Sequence, residues 1–488
     1  MSHTTPFQKG FETQPKEVEE SDLPVDGTLP DWLQGTYVRN GPGQFELQHA
    51  RYWHWFDGLA MPHRYTFSGG NVNKVGFRNR YLQTQTYKDD NANQKLNSRM
   101  SATDPVRTFW QKITAPISMK FTDNTNIHTM QIEDQYVALT ERFETYVIDL
   151  DTLDTKGLFQ WNDNIGSPMM TGHPHYDPHT KTIWNHYMEF GPRCVYKLYS
   201  SNGRRHKLIR REPVWKPSYM HSFGMTEKYI ILTEYPMKMS PFALYQFLFT
   251  DTPFFENFSW VPQLGTIFTV IDKSDGKVVK RVQADAFFCW HHINAFEDGD
   301  EVVVDLSAYA DSGIVQGLYV DTMRSDVEYS TQTAEYRRYR IPIYSAQTTI
   351  PTIDYDLAAD DRIILPRINY NHYNTKPYQF CYGLSTHGKI RDFVNEIVKI
   401  DTNQSGAVAR WHVDGHYPSE PVFAPKPGSS IEDEGVLMST VYDSTTEKSY
   451  LLVLDAQSFH QMARVNLPIR IPFGFHGRWY PDGNMYKL

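Results

Sequence analysis

The sequence predicts an all-β fold, a propeller of repeated four-stranded sheets, and three observations carry that expectation. Runs rich in β-branched and aromatic residues, such as QYVALTER, KYIILTEY, DEVVVDLSAY and SYLLVLDAQ, recur from end to end. Between them 29 Gly and 29 Pro are spread evenly, the punctuation of short strands joined by turns. A local signature, an apolar residue and then Asp at the end of a β-rich run, returns at Ile148-Asp149, Ile271-Asp272, Ile400-Asp401 and Leu454-Asp455. An Asp in that place bonds the backbone two residues on and tightens a hairpin. The gaps of 123, 129 and 54 residues match two or more blades, then one. Radial repetition fits them better than a sandwich.

The elements follow in order. Residues 1–21 (MSHTTPFQKGFETQPKEVEES) carry no apolar h-region and mix acids with bases, so they read as neither a secretory signal nor a transit peptide. They are expected to form a poorly ordered arm, with residues 22–488 as one domain. Asp104-Pro105 reads as an N-cap and first-turn proline for a helix holding Phe109, Trp110 and Ile113. Ser240-Pro241 does the same for FALYQFLFT. That second helix is apolar nearly all round and too short to cross a bilayer. Together with Phe254, Phe255, Phe258 and Trp260, it makes 237–260 either a buried core element or a surface that dips into a membrane face.

Composition narrows the function. With 48 Lys+Arg against 57 Asp+Glu, the net charge of −9 argues against a phosphate-reading surface. Three scattered cysteines are too few for a disulfide framework and suit a reducing compartment. The remaining chemistry lies in histidine. His173, His175 and His179 share TGHPHYDPHT, His221 stands in YMHSF, His291 and His292 in FCWHHIN, and His476 in PFGFHG. Their spacing matches no local zinc pattern. Most histidines are ordinary core or surface residues, yet in a propeller the inner-strand ends of different blades converge on one axis.

The motifs GTYVRNGPGQFE (35–46), WFDGLAMPHRYTF (55–67), TDNTNI, ALTE, GHPHYDP, YMHSFGMTE, FCWHHINAFEDGDEVVVDL (288–306), LPRINY, EDEG and PFGFHG occur in one order over the chain. They resemble those of the carotenoid cleavage oxygenases, the family that also contains the animal retinoid isomerohydrolase. The resemblance implies a seven-bladed β-propeller with a helical and loop cap over one face. It implies one non-haem ferrous iron (Fe2+) held by His173, His221, His291 and His476, with His175 and His292 as neighbours. It further implies outer carboxylates at Glu141, beside His221, and Glu432, beside His476. The family's third glutamate falls two residues before the proline of LPRINY, where this chain has Ile364. Asp361 is the nearest acid to that position.

The implied reaction is cleavage of a conjugated carbon–carbon double bond of a carotenoid or apocarotenoid by O2, giving aldehydes or ketones. Thr140 and Tyr309 are expected to face the substrate tunnel, and the 14% aromatic content suits its lining. A polyene is stored in membranes, so a cytoplasmic protein touching a membrane peripherally through 237–260 is the matching expectation. Three other readings stand beside it. A retinoid isomerase would use the same scaffold without O2. A stilbene-cleaving enzyme of this family places a Lys where Thr140 stands. A non-catalytic propeller would bind lipid or protein and hold no iron.

Overall fold

The computed structural model describes residues 6–70, 73–105, 108, 110, 121–165, 169–191, 193–243, 249–325, 333–344, 355–356, 362–388, 392–404 and 407–482. Seven antiparallel sheets stand around one axis. From the first blade to the seventh, the strands nearest the axis are Gly477–Pro481, His128–Ile132, the pair Met169–Met170 and His175–Asp177, Gly224–Met225, Phe288–Asp298, Ile364–Arg367 and Val422–Pro425. Inner strands touch between the first and second, fourth and fifth, fifth and sixth, and seventh and first blades, around the axial core.

The ring closes twice. Gly477–Pro481, from the C-terminal end, pairs antiparallel with Gln34–Arg39 of the first blade. Asp26–Gly27, from the N-terminal end, pairs with Gln461–Asn466 of the seventh. Each end of the chain thereby completes the blade built by the other, and no open seam remains for strand addition.

The repeated Asp is a blade marker. Asp149, Asp272, Asp401 and Asp455 each accept the backbone N–H two residues on. Each stands between the third and fourth strands of its blade, the second, fourth, sixth and seventh respectively. That is why the gaps correspond to two blades, two blades and one.

The N-terminal arm departs from expectation. Residues Gln8–Phe11 form a short 3-10 turn. Phe7 and Phe11, four apart, both pack on Phe393, and Phe11 also meets Trp55 and Phe473. Glu19–Pro24 is the outer strand of the first blade. An apolar pair hidden in a polar segment therefore secures residues 6–21.

The segment 237–260 is also partly reassigned. Met237–Met239 pairs with Phe258–Trp260, and Met237, Met239, Phe254 and Phe255 are buried. These residues are core. Ser240 Oγ does accept the Ala243 N–H at 3.0 Å as an N-cap, and Phe242 is 73% exposed. Leu244, Tyr245, Phe247 and Leu248 lie outside the described residues, as do Phe109 and Ile113 of the first expected helix and Asp361. Trp110, also 73% exposed, is described as helical. Asp104 is buried in an ion pair with Arg99, and the residues it would cap, 106 and 107, lie outside the described residues. No helix among the described residues is long and apolar enough to cross a membrane, and the three cysteines are buried and not in disulfides.

Candidate metal centre

Four histidines, each at or near the start of a different inner strand, meet on the axis. One ring nitrogen from each of His173, His221, His291 and His476 lies within 4.8 Å of the others, and among the described residues this is the one such cluster. His173 Nε2 and His221 Nε2 are 2.9 Å apart. Two imidazoles bound at right angles to one ion at about 2.1 Å have nitrogens about 3 Å apart.

Local structure aims each ring. His291 lies where the strand Phe288–Asp298 slips register against its partner, between Cys289 and His292. Such a bulge re-aims a side chain, so adjacent histidines part: His291 faces the axis, and His292 bonds the Ser222 and Thr233 hydroxyls at 2.8 and 2.9 Å. His175 is likewise satisfied elsewhere, by Tyr370 Oη and the Phe223 carbonyl, each at 2.9 Å. His179 is exposed beside Glu227. His476 rides between two glycines that admit close backbone approach. A Cβ on Gly474 would stand 2.6 Å from Arg39 Nη2, and one on Gly477 2.6 Å from the Tyr37 ring. Thr171 holds two loops together, donating to the His221 carbonyl and accepting the His173 N–H.

Carboxylates orient two of the rings. Glu141 Oε1 lies 2.6 Å from His221 Nδ1 and accepts from Tyr219 Oη at 2.6 Å. For His476 the carboxylate is Glu420, with Oε1 2.7 Å from Nδ1. This corrects the assignment of Glu432. Glu432 instead accepts the backbone N–H groups of Gln379 and Phe380 at 2.7–3.0 Å, tying the seventh blade to the sixth. The reason is blade adjacency. Glu420 stands just ahead of the seventh blade's inner strand, and ring closure sets that strand beside Gly477–Pro481. An acid between Ser419 and Pro421 at a strand mouth was the available signal.

No carboxylate among the described residues bonds His291 or His173. Ile364 opens the sixth blade's inner strand and lines the same cavity as His291. His291 Nε2 is buried with no hydrogen-bond partner. A buried unpaired polar group costs about 1–3 kcal/mol, and a metal ion would relieve it. Burial pushes the His173 and His291 rings well below the ordinary imidazole value, and neighbouring imidazoles add to this. His476 is also lowered by burial, against the pull of Glu420. Burial alone would lift Glu420, but Arg367, His476 and the Gly477 N–H together hold it below the usual carboxylate range. His173, His291 and His476 are thus held as neutral imidazoles, the form that binds metal, and two carboxyl groups flank the cluster. The residues fit an iron(II) ion.

Beside the cluster lies an aromatic-walled cavity. It is walled by Phe56, Trp290, Phe393, Phe473 and Phe475 and bordered by His221, His291 and His476; Thr140 and Tyr309 both line it. Phe56 stacks on His221 and packs edge-on to Trp290 and Phe475. The arrangement can hold a long apolar molecule with one segment against a metal.

Comparisons with known proteins agree over the whole length. The family model described as RPE65, retinal pigment epithelial membrane protein, matches residues 11–481. The mitochondrial carotenoid-cleaving dioxygenase of Macaca fascicularis is 31% identical, over 93% of this chain and 91% of that protein. The chloroplastic carotenoid cleavage dioxygenase 8 homolog A of Oryza sativa subsp. japonica is 34% identical, over 95% and 85%. The beta,beta-carotene 15,15'-dioxygenase of Gallus gallus is 30% identical, over 99% of both chains. Among solved structures, a mutant of Synechocystis apocarotenoid oxygenase superposes with a TM-score of 0.85 at 23% identity, covering 99% of this chain and 100% of that one. The cobalt-substituted form of that oxygenase also gives 0.85, at 22% identity over 98% and 99%. A seven-bladed propeller with four imidazoles on its axis and matches of this extent leave one assignment: the chain belongs to the RPE65/carotenoid cleavage oxygenase family.

Proposed function

We propose that the protein is a non-haem iron dioxygenase that cleaves a conjugated carbon–carbon double bond of a carotenoid or apocarotenoid with O2. The observation that carries this reading is the four-imidazole cluster at the floor of an aromatic cavity. His173, His221, His291 and His476 would hold one Fe2+. A bound iron would supply the oxygen chemistry.

The chain's own part is placement and exclusion. Phe56, Trp290 and Phe475 form a dry wall that matches the flat face of a polyene. Glu141 and Glu420 fix two imidazoles so that the metal-facing nitrogens stay deprotonated and aimed. The two acids lining the cavity are already engaged, Glu141 by His221 and Tyr219, and Asp57 by Ser101, Ala102 and Thr103. Neither acid stands ready as a nucleophile, consistent with chemistry carried by the metal. Thr140 puts a hydroxyl, not an ammonium, on the wall, so a phenol of a stilbene has no cation at that position.

A polyene must be drawn from a membrane. In this reading the protein is cytoplasmic and touches the bilayer peripherally through the exposed rings of Trp110 and Phe242. The test is to incubate iron-loaded protein with carotenoids, apocarotenoids, hydroxylated stilbenes and retinyl esters, in air and under argon. Paired carbonyl fragments of a carotenoid or apocarotenoid, formed only in air, are expected. An isomerised retinoid formed under argon would replace this reading with the isomerase.

A further inference from the structure

Among the described residues, three side chains lining the aromatic cavity, besides its histidines and Tyr309, are ionisable: Asp57, Glu141 and Arg362. The two acids have the donors described above. Arg362 has none: among the described residues no hydrogen bond, ion pair or ring contact is made by its guanidinium. Glu335, whose backbone bridges to that of Arg362, gives its carboxylate to Arg337 at 2.7 Å. Arg362 is half-buried, so it borders the cavity and solvent together.

Its position relative to the metal is set by the chain. Arg362 stands two residues before Ile364, about 7 Å along an extended segment. Extending the Ile364–Leu384 pairing by two residues brings it opposite Thr386, and Thr386 and Thr333 share the cavity wall with it. The result is one fixed cation flanked by hydroxyls at the edge of an apolar tunnel. A guanidinium cannot shed its proton and meets a carboxylate with two parallel bonds. In an apolar wall an unpaired charge is unfavourable until an anion arrives.

We propose that Arg362 is a specificity-determining residue that receives the carboxylate end of the substrate, so that the preferred polyene is an apocarotenoid acid rather than a hydrocarbon carotene. This rests on the polyene-cleaving reading above and adds the polarity of the substrate's far end. It also gives the tunnel a direction: the charged end stays at the mouth while the apolar chain runs past the metal, and a fixed end selects one double bond.

The test uses apo-8'-carotenoic acid and its methyl ester, with binding to iron-free protein read by quenching of tryptophan fluorescence at pH 7.5. Wild type is expected to bind the acid about 10- to 100-fold tighter, the scale of a hydrogen bond to a charged group. Arg362→Met should erase that preference and leave ester binding within about twofold, and Arg362→Lys should keep part of it. Equal binding of acid and ester by wild type, or equal weakening of both in Arg362→Met, would overturn the proposal. Because binding is read without iron, cleavage is scored separately. A preference for the acid with no cleavage in the iron-loaded enzyme would sink the functional reading alone.

Discussion

His476 and Glu420 are joined at 2.7 Å, and one carboxylate serves three elements. Its second oxygen accepts the Gly477 N–H at 2.7 Å and Arg367 Nη2 at 3.0 Å. Glu420 thus links the seventh blade, the closing strand of the first and the inner strand of the sixth, while orienting a candidate metal ligand.

Two nearby glutamates should therefore behave differently. Glu420→Gln is expected to weaken metal retention about 10- to 100-fold, with a smaller loss of stability. Glu432→Gln should leave retention unchanged and lower stability by about 1–3 kcal/mol, since it weakens backbone caps on Gln379 and Phe380. Metal per chain after timed chelator challenge, beside a melting curve, separates them. Equal metal loss in both variants would contradict this assignment.

Ile364 gives a gain-of-function test. Two of the four imidazoles have carboxylate partners and His291 has none among the described residues. Ile364→Glu would add an acceptor on the inner strand beside it and should slow iron loss to chelator about 10-fold or more. Unchanged loss would mean that His291 is already supported by another group.

Acid should destabilise the fold through histidines buried in the neutral form. Burial lowers His54 and His186 to about 4, against about 6.5 when unfolded. The unfolded chain then binds more protons, so stability is present above about 6.5 and falls as pH drops towards 4. At pH 5 each contributes a loss of about 2 kcal/mol. His186→Leu should flatten the fall in melting temperature between pH 7.5 and 5.0. A pH dependence parallel to wild type would show that His186 is not the proton acceptor.

Membrane contact is checked at the exposed rings. Burying a large apolar side chain contributes about 1.5–3 kcal/mol. Replacing Trp110 and Phe242 with Ser should therefore reduce liposome association more than tenfold and leave bound iron intact. Unaltered association would move the contact elsewhere.

What the sequence made legible was local or repeated. Asp149, Asp272, Asp401 and Asp455 mark the same turn in four blades because an Asp side chain and its own backbone suffice to build it. The four clustered histidines were legible because their short motifs resemble the family's, not from spacing, and they stand at or near inner-strand starts. What escaped depends on ring closure. Glu420 and Glu432 are equally acidic and near in sequence, and only the meeting of the seventh blade with the first decides which one reaches His476. Phe7 and Phe11 lie in a polar stretch that alone would be disordered, and they are held by Phe393 and Phe473 from the other end of the chain. Arg362 carried no pattern at all, since an isolated arginine acquires meaning only from the apolar wall around it.

The most direct measurement of the central claim is X-ray absorption on ferrous protein, combined with iron per chain. One iron bound by four imidazole nitrogens near about 2.1 Å is the result expected. A carboxylate oxygen in the first coordination sphere, fewer than four imidazoles, or iron bound as well when His221 and His476 are both alanine would contradict it.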